Sequence, residues 1–279
     1  MARQPEGTGL GRRRRRMSDA ETEERMLATA IAMINETGLT VSLEHLRLED
    51  VIRAAGVARS AVYRRWPYKD LFFADLLREL ARGADAAAVG ELESKRGTAR
   101  AVEEHAGLVE TSEGRWQLGV EIIRGTRDFE TLRRSSAWRT YLALHATFLS
   151  LEEGPLREDV KAILQESEAG FVERISGSYR ELAELLGYRI RPATGVTFEQ
   201  LAAMASAALR GMALMEPTIP MIEEAKVQGS PFGGEESEWS LPGLTAGAVI
   251  LQFLEPDPAV VWDEERIERV KRALLERSA

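Results

Sequence analysis

Residues 48–72 have the sequence LEDVIRAAGVARSAVYRRWPYKDLF, which decides the fold of the first part of the chain. A short helix with one apolar face is predicted first, and Gly56 ends it. After a tight turn a second helix is predicted over residues 59–66, and Pro67 stops it. Two short amphipathic helices joined by a glycine-containing turn predict a helix-turn-helix motif. The apolar face of the first helix consists of Leu48, Val51, Ile52 and Ala55.

The flanking sequence predicts two longer helices around this motif. Ser18 and Glu21 have the spacing of an N-terminal capping box, and helical periodicity continues to Gly38. On the other side, a helix is predicted over residues 69–82. We therefore expect a helix-turn-helix head over residues 18–82. The residues of its last helix that are expected to face inward are Leu71, Phe72, Leu76, Leu77 and Leu80.

The second helix of the motif is expected to lie in the major groove of DNA. Such a helix packs one face on its neighbours and turns the other to the nucleic acid. Val57, Val62 and Trp66 are the side chains expected to pack inward. The side chains left for DNA are Arg59, Ser60, Ala61, Tyr63, Arg64 and Arg65.

Different roles are predicted for these polar side chains. Arg59 and Arg64 are predicted to read bases, because an arginine can bond O6 and N7 of guanine with two parallel hydrogen bonds. Tyr63 and Lys69 are predicted to hold phosphates, which positions a protein on DNA without reading its sequence. For Arg65 both roles remain open.

The pattern AAGV-x-x-x-x-VY-x-x-W-P-x-K-x-x-L/F resembles the head of the TetR family of transcription repressors. The resemblance implies an all-helical protein that binds DNA as a dimer. It also implies that Tyr63 and Lys69 contact phosphates. A plainer interpretation is a helix pair inside an all-helical core with solvated arginines. The joint presence of Gly56, Tyr63, Pro67 and Lys69 favours DNA binding.

The chain departs from the usual pattern of this family at four positions. Ala58 stands where a serine often caps the second helix, so a cap worth about 1 kcal/mol is expected to be missing. Ala61 replaces a common phosphate-contacting threonine, and Tyr68 replaces a small polar cap. Arg47 stands where a threonine commonly contacts phosphate, and we expect it to make a longer ionic contact with DNA.

Residues 1–17 are predicted to be a disordered basic arm. Beside a helix-turn-helix, such an arm can enter a narrow minor groove. A solvated tail, or a true start at Met17, explains the same residues equally well. The basic run consists of Arg12, Arg13, Arg14, Arg15 and Arg16.

The net charge of −8 is unevenly divided. Residues 1–82 hold 15 Lys or Arg against 12 Asp or Glu, which leaves −11 on the remainder. A weakly basic head on an acidic body keeps phosphate contact local to the head. The chain has no Cys and three His, so neither a disulfide framework nor a metal site is expected. No apolar run approaches the ~20 residues that span a bilayer, and a cytoplasmic protein without cofactor is expected.

Only helices are predicted in the rest of the chain, and the fold class is therefore all-α. A polar stretch rich in Ala and Gly, residues 83–97, is predicted as the boundary before a body over residues 98–279. Residues 229–242 are predicted to be a long loop. The body helices are predicted near residues 98–110, 115–126, 128–151, 156–187, 197–215, 243–254 and 263–277.

Dimerisation and ligand sensing are the functions predicted for this body. Two heads about 34–36 Å apart require a two-fold dimer. The resemblance assigns its interface to the helices near 197–215 and 243–254, although these could also be core helices of one chain. An apolar pocket for a small-molecule effector is expected, although most of its candidate residues could be plain core. These candidates are Trp116, Phe129, Trp138, Tyr141, His145, Phe171, Met204 and Met212.

An enzyme is not expected. Carboxylates such as Glu121, Glu130 and Glu173 are present, but no nucleophile–base pair or phosphate loop accompanies them. The sequence predicts a dimeric repressor that a ligand releases from its operator, with the signal passing through the helix over 69–82. A regulator or activator that responds to no ligand is the alternative, because its head would look the same.

Overall fold

A computed structural model describes residues 17–37, 46–83, 86–125, 129 and 134–278, which are mostly helical. The arm with Arg12 to Arg16 lies outside these residues. Within the described part the helices are α1 (Asp19–Thr37), α2 (Leu48–Ala55), α3 (Arg59–Arg65), α4 (Lys69–Arg82), α5 (Ala86–His105), α6 (Gly114–Gly125), α7 (Ser136–Ser150), α8 (Pro155–Leu185), α9 (Phe198–Met215), α10 (Met221–Glu224), α11 (Leu241–Ile250) and α12 (Glu264–Ser278). Short 3₁₀ turns occupy Ala106–Glu110, Pro192–Thr194, Glu216–Thr218 and Leu251–Phe253.

Local signals set the ends of the head helices. The capping box that opens α1 is confirmed: Ser18 Oγ accepts the Glu21 N–H at 3.1 Å, and the Ser18 N–H donates to Glu21 Oε2 at 2.7 Å. Gly56 ends α2 in the left-handed conformation, with φ of 62°. Its N–H donates to the carbonyl oxygen of Ile52 at 3.1 Å. Residues 56–58 are therefore the whole turn between α2 and α3.

The head shares one apolar core with the body. Trp66 and Phe72 are fully buried and meet edge to face, with ring centroids 5.1 Å apart. The inward position predicted for Leu71 is wrong: this side chain is 48% exposed, on the outer side of the first turn of α4. The body residues of this core are Ala143 and Leu144 of α7 and Val160 and Leu164 of α8.

The stretch predicted as a boundary is helical from Ala86 onward, because α5 runs through it to His105. Its alanines and glutamates are strong helix formers, and this propensity outweighs the scattered glycines. The helix predicted over 243–254 is shorter than expected. It ends at Ile250, and a 3₁₀ turn leads into a strand at Leu254.

Two small antiparallel sheets correct the expectation of helices alone. Within the loop predicted over residues 229–242, residues 230–236 are a loop, but this loop joins the two strands of a β-hairpin in which Val227 faces Trp239. Trp239 is 1% exposed and anchors the hairpin in the body core. These strands are too short to show an alternation of apolar and polar residues in the sequence. The pairs are β1 (Tyr188–Ile190) with β4 (Leu254–Pro256), and β2 (Lys226–Gly229) with β3 (Ser237–Ser240).

Candidate nucleic-acid interface and ligand cavity

The helix α3 divides its side chains between core and solvent as predicted. Val62, together with Trp66 just after the helix, is fully buried. The side chain of Arg59 is 67% exposed and that of Arg64 is 44% exposed. A polar and cationic face of α3 is therefore open to solvent.

Glu49 of α2 holds two of the predicted DNA-contacting side chains. Its Oε1 lies 2.7 Å from Nη2 of Arg59 and accepts the Tyr63 hydroxyl, also at 2.7 Å. Tyr63 and the negative charge of Glu49 raise the pKa of Arg59 above its ordinary value. Any other acceptor for these two side chains would have to replace this carboxylate.

The other two arginines of α3 pair with acids of neighbouring helices. Arg64 bonds Asp19 at the start of α1, which raises the pKa of this arginine. Arg65 bonds Glu23 of α1 at 2.8 Å, and Glu23 is also the main cause of its raised pKa. Arg65 is thus tied to the head scaffold, whereas Arg59 and Arg64 are the more exposed arginines.

Asp75 of α4 connects α3 to the body through a chain of polar contacts. Its Oδ2 accepts the indole N–H of Trp66 at 2.9 Å and a guanidinium N–H of Arg65 at 3.1 Å. Its Oδ1 accepts from Arg78 at 3.0 Å, and Arg78 also pairs with Asp159 of α8 at 2.9 Å. Polar contacts therefore run without a break from α3 to α8.

The remaining predicted DNA contacts surround α3. Ser60 is exposed and Ala61 is half-buried. Arg47 and Lys69 are exposed at the starts of α2 and α4. The missing cap predicted at Ala58 is confirmed, since no side chain there bonds the first turn of α3.

A largely apolar cavity of about 510 Å³ lies in the body, between α6, α8, α9 and α11. Of the eight predicted ligand contacts, only Trp116 lines it. The position of this ring is fixed by its indole N–H, which donates to the Phe232 carbonyl oxygen at 2.8 Å. Other lining residues are Ile122, Leu182, Phe198, Leu209 and Ile250.

Several of the other predicted ligand contacts pack together around Arg210 of α9. Trp138 stacks on Tyr141 with centroids 5.1 Å apart, and Arg210 lies 4.4 Å from the Phe171 ring. Glu168 Oε2 accepts from Arg210 at 2.8 Å. Burial raises the pKa of Tyr141. His145 and Met212 adjoin the same packed cluster.

Of the last two predicted ligand contacts, Phe129 packs in the same cluster as Trp138 and Tyr141, and Met204 lies elsewhere. Phe129 lines a second cavity, of about 520 Å³, whose walls carry charges of both signs. Met204 is 38% exposed on the outer side of α9. Charged residues around the second cavity include Glu104, His105, Glu121 and Arg124.

The outer side of α9 carries apolar and small side chains without cover from the described residues. Leu214 is 60% exposed and Met215 is 49% exposed. Ala207 is exposed, and a Cβ atom at Gly211 would meet nothing within 4 Å. The helix α11 differs, because Phe232 covers its Gly247.

Sequence reasoning missed the partners of the arginines and one buried cation. Glu49 lies in the first helix of the motif, but its sequence position does not reveal that it pairs with Arg59. Asp75 and Arg115 stand in no motif, and only the packing of the helices reveals what they do. In the part of the chain with described coordinates, no group of three His, Cys, Asp or Glu residues could hold a metal ion. No helix there is both long and apolar enough to cross a membrane.

A scan against models of known protein families gives no match for this chain, and a search of curated proteins finds no similar sequence.

Proposed function

We propose that this chain is a TetR-like transcription regulator that binds a palindromic operator as a dimer and is released by a small apolar ligand. The observation that carries the proposal is the exposed cationic face of α3. This helix follows a glycine turn directly, buries Val62 and turns Arg59 and Arg64 to solvent. A helix of this kind suits the major groove, where arginines find guanine acceptors.

The outer side of α9 supports the dimer. An apolar helix face lined by Ala207 and Gly211 allows close approach of a second helix, as in the packed bundles of dimeric proteins. Ala207→Glu is expected to convert the dimer to a monomer in sedimentation equilibrium, because the new carboxylates would be buried at the interface. Ala162→Glu, on an exposed site of α8, is the matched control. The proposed interface is contradicted if the wild-type protein is a monomer, or if the Ala207→Glu variant remains a dimer.

The position of α8, between the cavity and the head, supports release from DNA by a ligand. Its C-terminal half lines the apolar cavity with Leu182, and its N-terminal half packs Val160 and Leu164 into the core shared with the head. A ligand that binds one arrangement of this helix better than another would bias the position of the heads. A coupling of about 1–3 kcal/mol is typical of such effectors.

Selection of bound duplexes from a random pool, on the full chain, tests the proposal. We expect a palindrome with half-sites about one helical turn apart. Arg59→Ala should weaken binding to the selected duplex by about 1–3 kcal/mol and relax its sequence preference. Lys69→Ala should weaken binding to the selected and to scrambled duplexes equally, because phosphate groups are the same in every DNA sequence.

The matched control is Arg82→Ala, which removes an exposed arginine about 20 Å along α4 from Lys69. All affinities are compared at one salt concentration, because phosphate contacts depend steeply on salt. The proposal is wrong if no duplex is preferred over bulk DNA. It is also wrong if Arg59→Ala binds the selected duplex as Arg82→Ala does.

A further inference from the structure

Arg115, near the start of α6, is only 5% exposed although its guanidinium is always charged. Its Nε donates to the Ser112 carbonyl oxygen and its Nη1 to the Leu186 carbonyl oxygen, each at 3.2 Å. The guanidinium also lies 5.0 Å from the ring centroid of Tyr188 and 4.6 Å from that of Trp262. Among the residues with described coordinates, no carboxylate forms an ion pair with it.

These contacts compensate the buried charge only in part. A buried charge is costly unless it is both paired and fully hydrogen-bonded. Carbonyl oxygens, aromatic faces and a hydrogen bond with the side chain of Tyr188 stabilise the guanidinium, but none of them carries a negative charge. Among the described residues the buried charge of Arg115 is therefore without a counter-ion.

Arg115 and Tyr188 both line the apolar cavity of about 510 Å³. Burial raises the pKa of Tyr188, whereas the charge of Arg115 and its hydrogen bond with Tyr188 act in the opposite direction. Glu181, the only acidic residue among the described lining residues, is exposed. The cavity thus combines apolar walls with one buried cation.

The backbone beside Arg115 is shaped to bring the guanidinium close. Gly187 adopts a φ of 72°, and a Cβ atom there would collide with Nη1 of Arg115. Only a glycine permits both this conformation and this approach. The backbone at Gly187 therefore leaves room for the guanidinium in the cavity wall.

We propose that this cavity binds an amphipathic organic anion, whose carboxylate pairs with Arg115 and whose apolar body fills the remaining space. Arginine is suited to this task because its planar fork matches a carboxylate. The identification of this anion as the effector rests on the proposed function. The binding itself does not.

The competing interpretation is that Arg115 only clamps α6 to the end of α8, in which case the cavity has no preference for charge. Three probes with the same alkyl chain distinguish the two: dodecanoate, dodecan-1-ol and dodecyltrimethylammonium. Calorimetric titration of the full chain at neutral pH is expected to show dodecanoate binding at least about tenfold more tightly than the alcohol, as for a charge-assisted hydrogen bond. Equal or tighter binding of the alcohol or the ammonium probe would overturn the proposal.

Substitutions then assign the preference to Arg115. Arg115→Gln is expected to weaken the binding of dodecanoate by about tenfold or more, and the binding of dodecan-1-ol by less than about threefold. Arg124→Gln, on the same helix but outside the lining of this cavity, is expected to change neither. Arg115→Lys keeps the charge and should retain part of the preference for the anion. If Arg115→Gln does not fold, the comparison of the three probes and Arg115→Lys still decide.

Measuring DNA affinity with and without dodecanoate separates this inference from the proposed function. Preferential binding of dodecanoate without any change in DNA affinity would support the anion site and contradict its role as effector site. A protein without preference for any duplex would contradict the proposed function, and the probe comparison would still decide the anion site.

Discussion

Asp75 offers the sharpest test of how α3 is held. Its two carboxylate oxygens accept three donors, from Arg65, Trp66 and Arg78, at 2.9–3.1 Å. In Asp75→Asn one oxygen becomes an NH₂ group. In either orientation of the amide, this NH₂ group faces an N–H donor of at least one arginine and cannot accept its hydrogen bond. The substitution keeps the shape of the side chain and removes its charge.

The expected loss follows from the number and exposure of these bonds. A hydrogen bond to a charged group contributes about 1.5–3 kcal/mol. The side chain of Asp75 is 23% exposed and that of Arg65 is 36% exposed, so solvent screens part of this energy. We expect Asp75→Asn to lower the free energy of unfolding by about 2 kcal/mol, equivalent to a fall in Tm of roughly 4–8 °C.

Asp70→Asn is the matched control, since it is the same substitution in the first turn of the same helix. Asp70 is exposed, and its loss should remove only a helix-dipole interaction of about 0.3–1 kcal/mol. Urea denaturation followed by circular dichroism gives both values. If the two variants differ by less than about 0.5 kcal/mol, the network around Asp75 does not stabilise the head and the reasoning fails.

Four further substitutions test the backbone and packing arguments, each by urea denaturation. Ala58→Ser should supply the cap that α3 lacks and raise the free energy of unfolding by about 1 kcal/mol; no gain would show that this turn cannot accept a cap. Gly56→Ala should lower it by about 1–2 kcal/mol because φ is 62°, and a neutral result would contradict the left-handed turn. Gly247→Ala should lower it by about 1–3 kcal/mol, since the new Cβ would lie 2.5 Å from a Phe232 ring atom. Gly177→Ala, a helix position with open space, should instead be stabilising by up to about 1 kcal/mol, and equal effects at the two glycines would refute the packing argument.

Most of the head could be predicted because its signals are local. Ser18 and Glu21 bond each other within one turn, Gly56 permits the backbone that ends α2, and Pro67 stops α3. Each of these interactions joins residues at most four positions apart, so a short stretch of sequence contains both partners. The inward side of α3 followed in the same way from helical periodicity.

The body could be predicted only as a set of helices. Their lengths follow from periodicity, as for α8 and α9, but their neighbours do not. The hairpin around Trp239 was missed because its strands are too short for an alternating pattern. Side-chain bulk is what marks the candidate ligand residues in the sequence, and bulk does not distinguish a packed side chain from one that lines a cavity.

By itself the sequence determined the helix pair with its glycine turn, the capped first helix and the cationic face of α3, because bonds within a helix turn and side-chain periodicity are local. Only the tertiary structure decided which acids hold the arginines, that Arg115 reaches Leu186 across 71 positions of sequence, and where the cavity lies. Those features depend on how distant helices pack, and packing depends on the shapes of all the contacting side chains together.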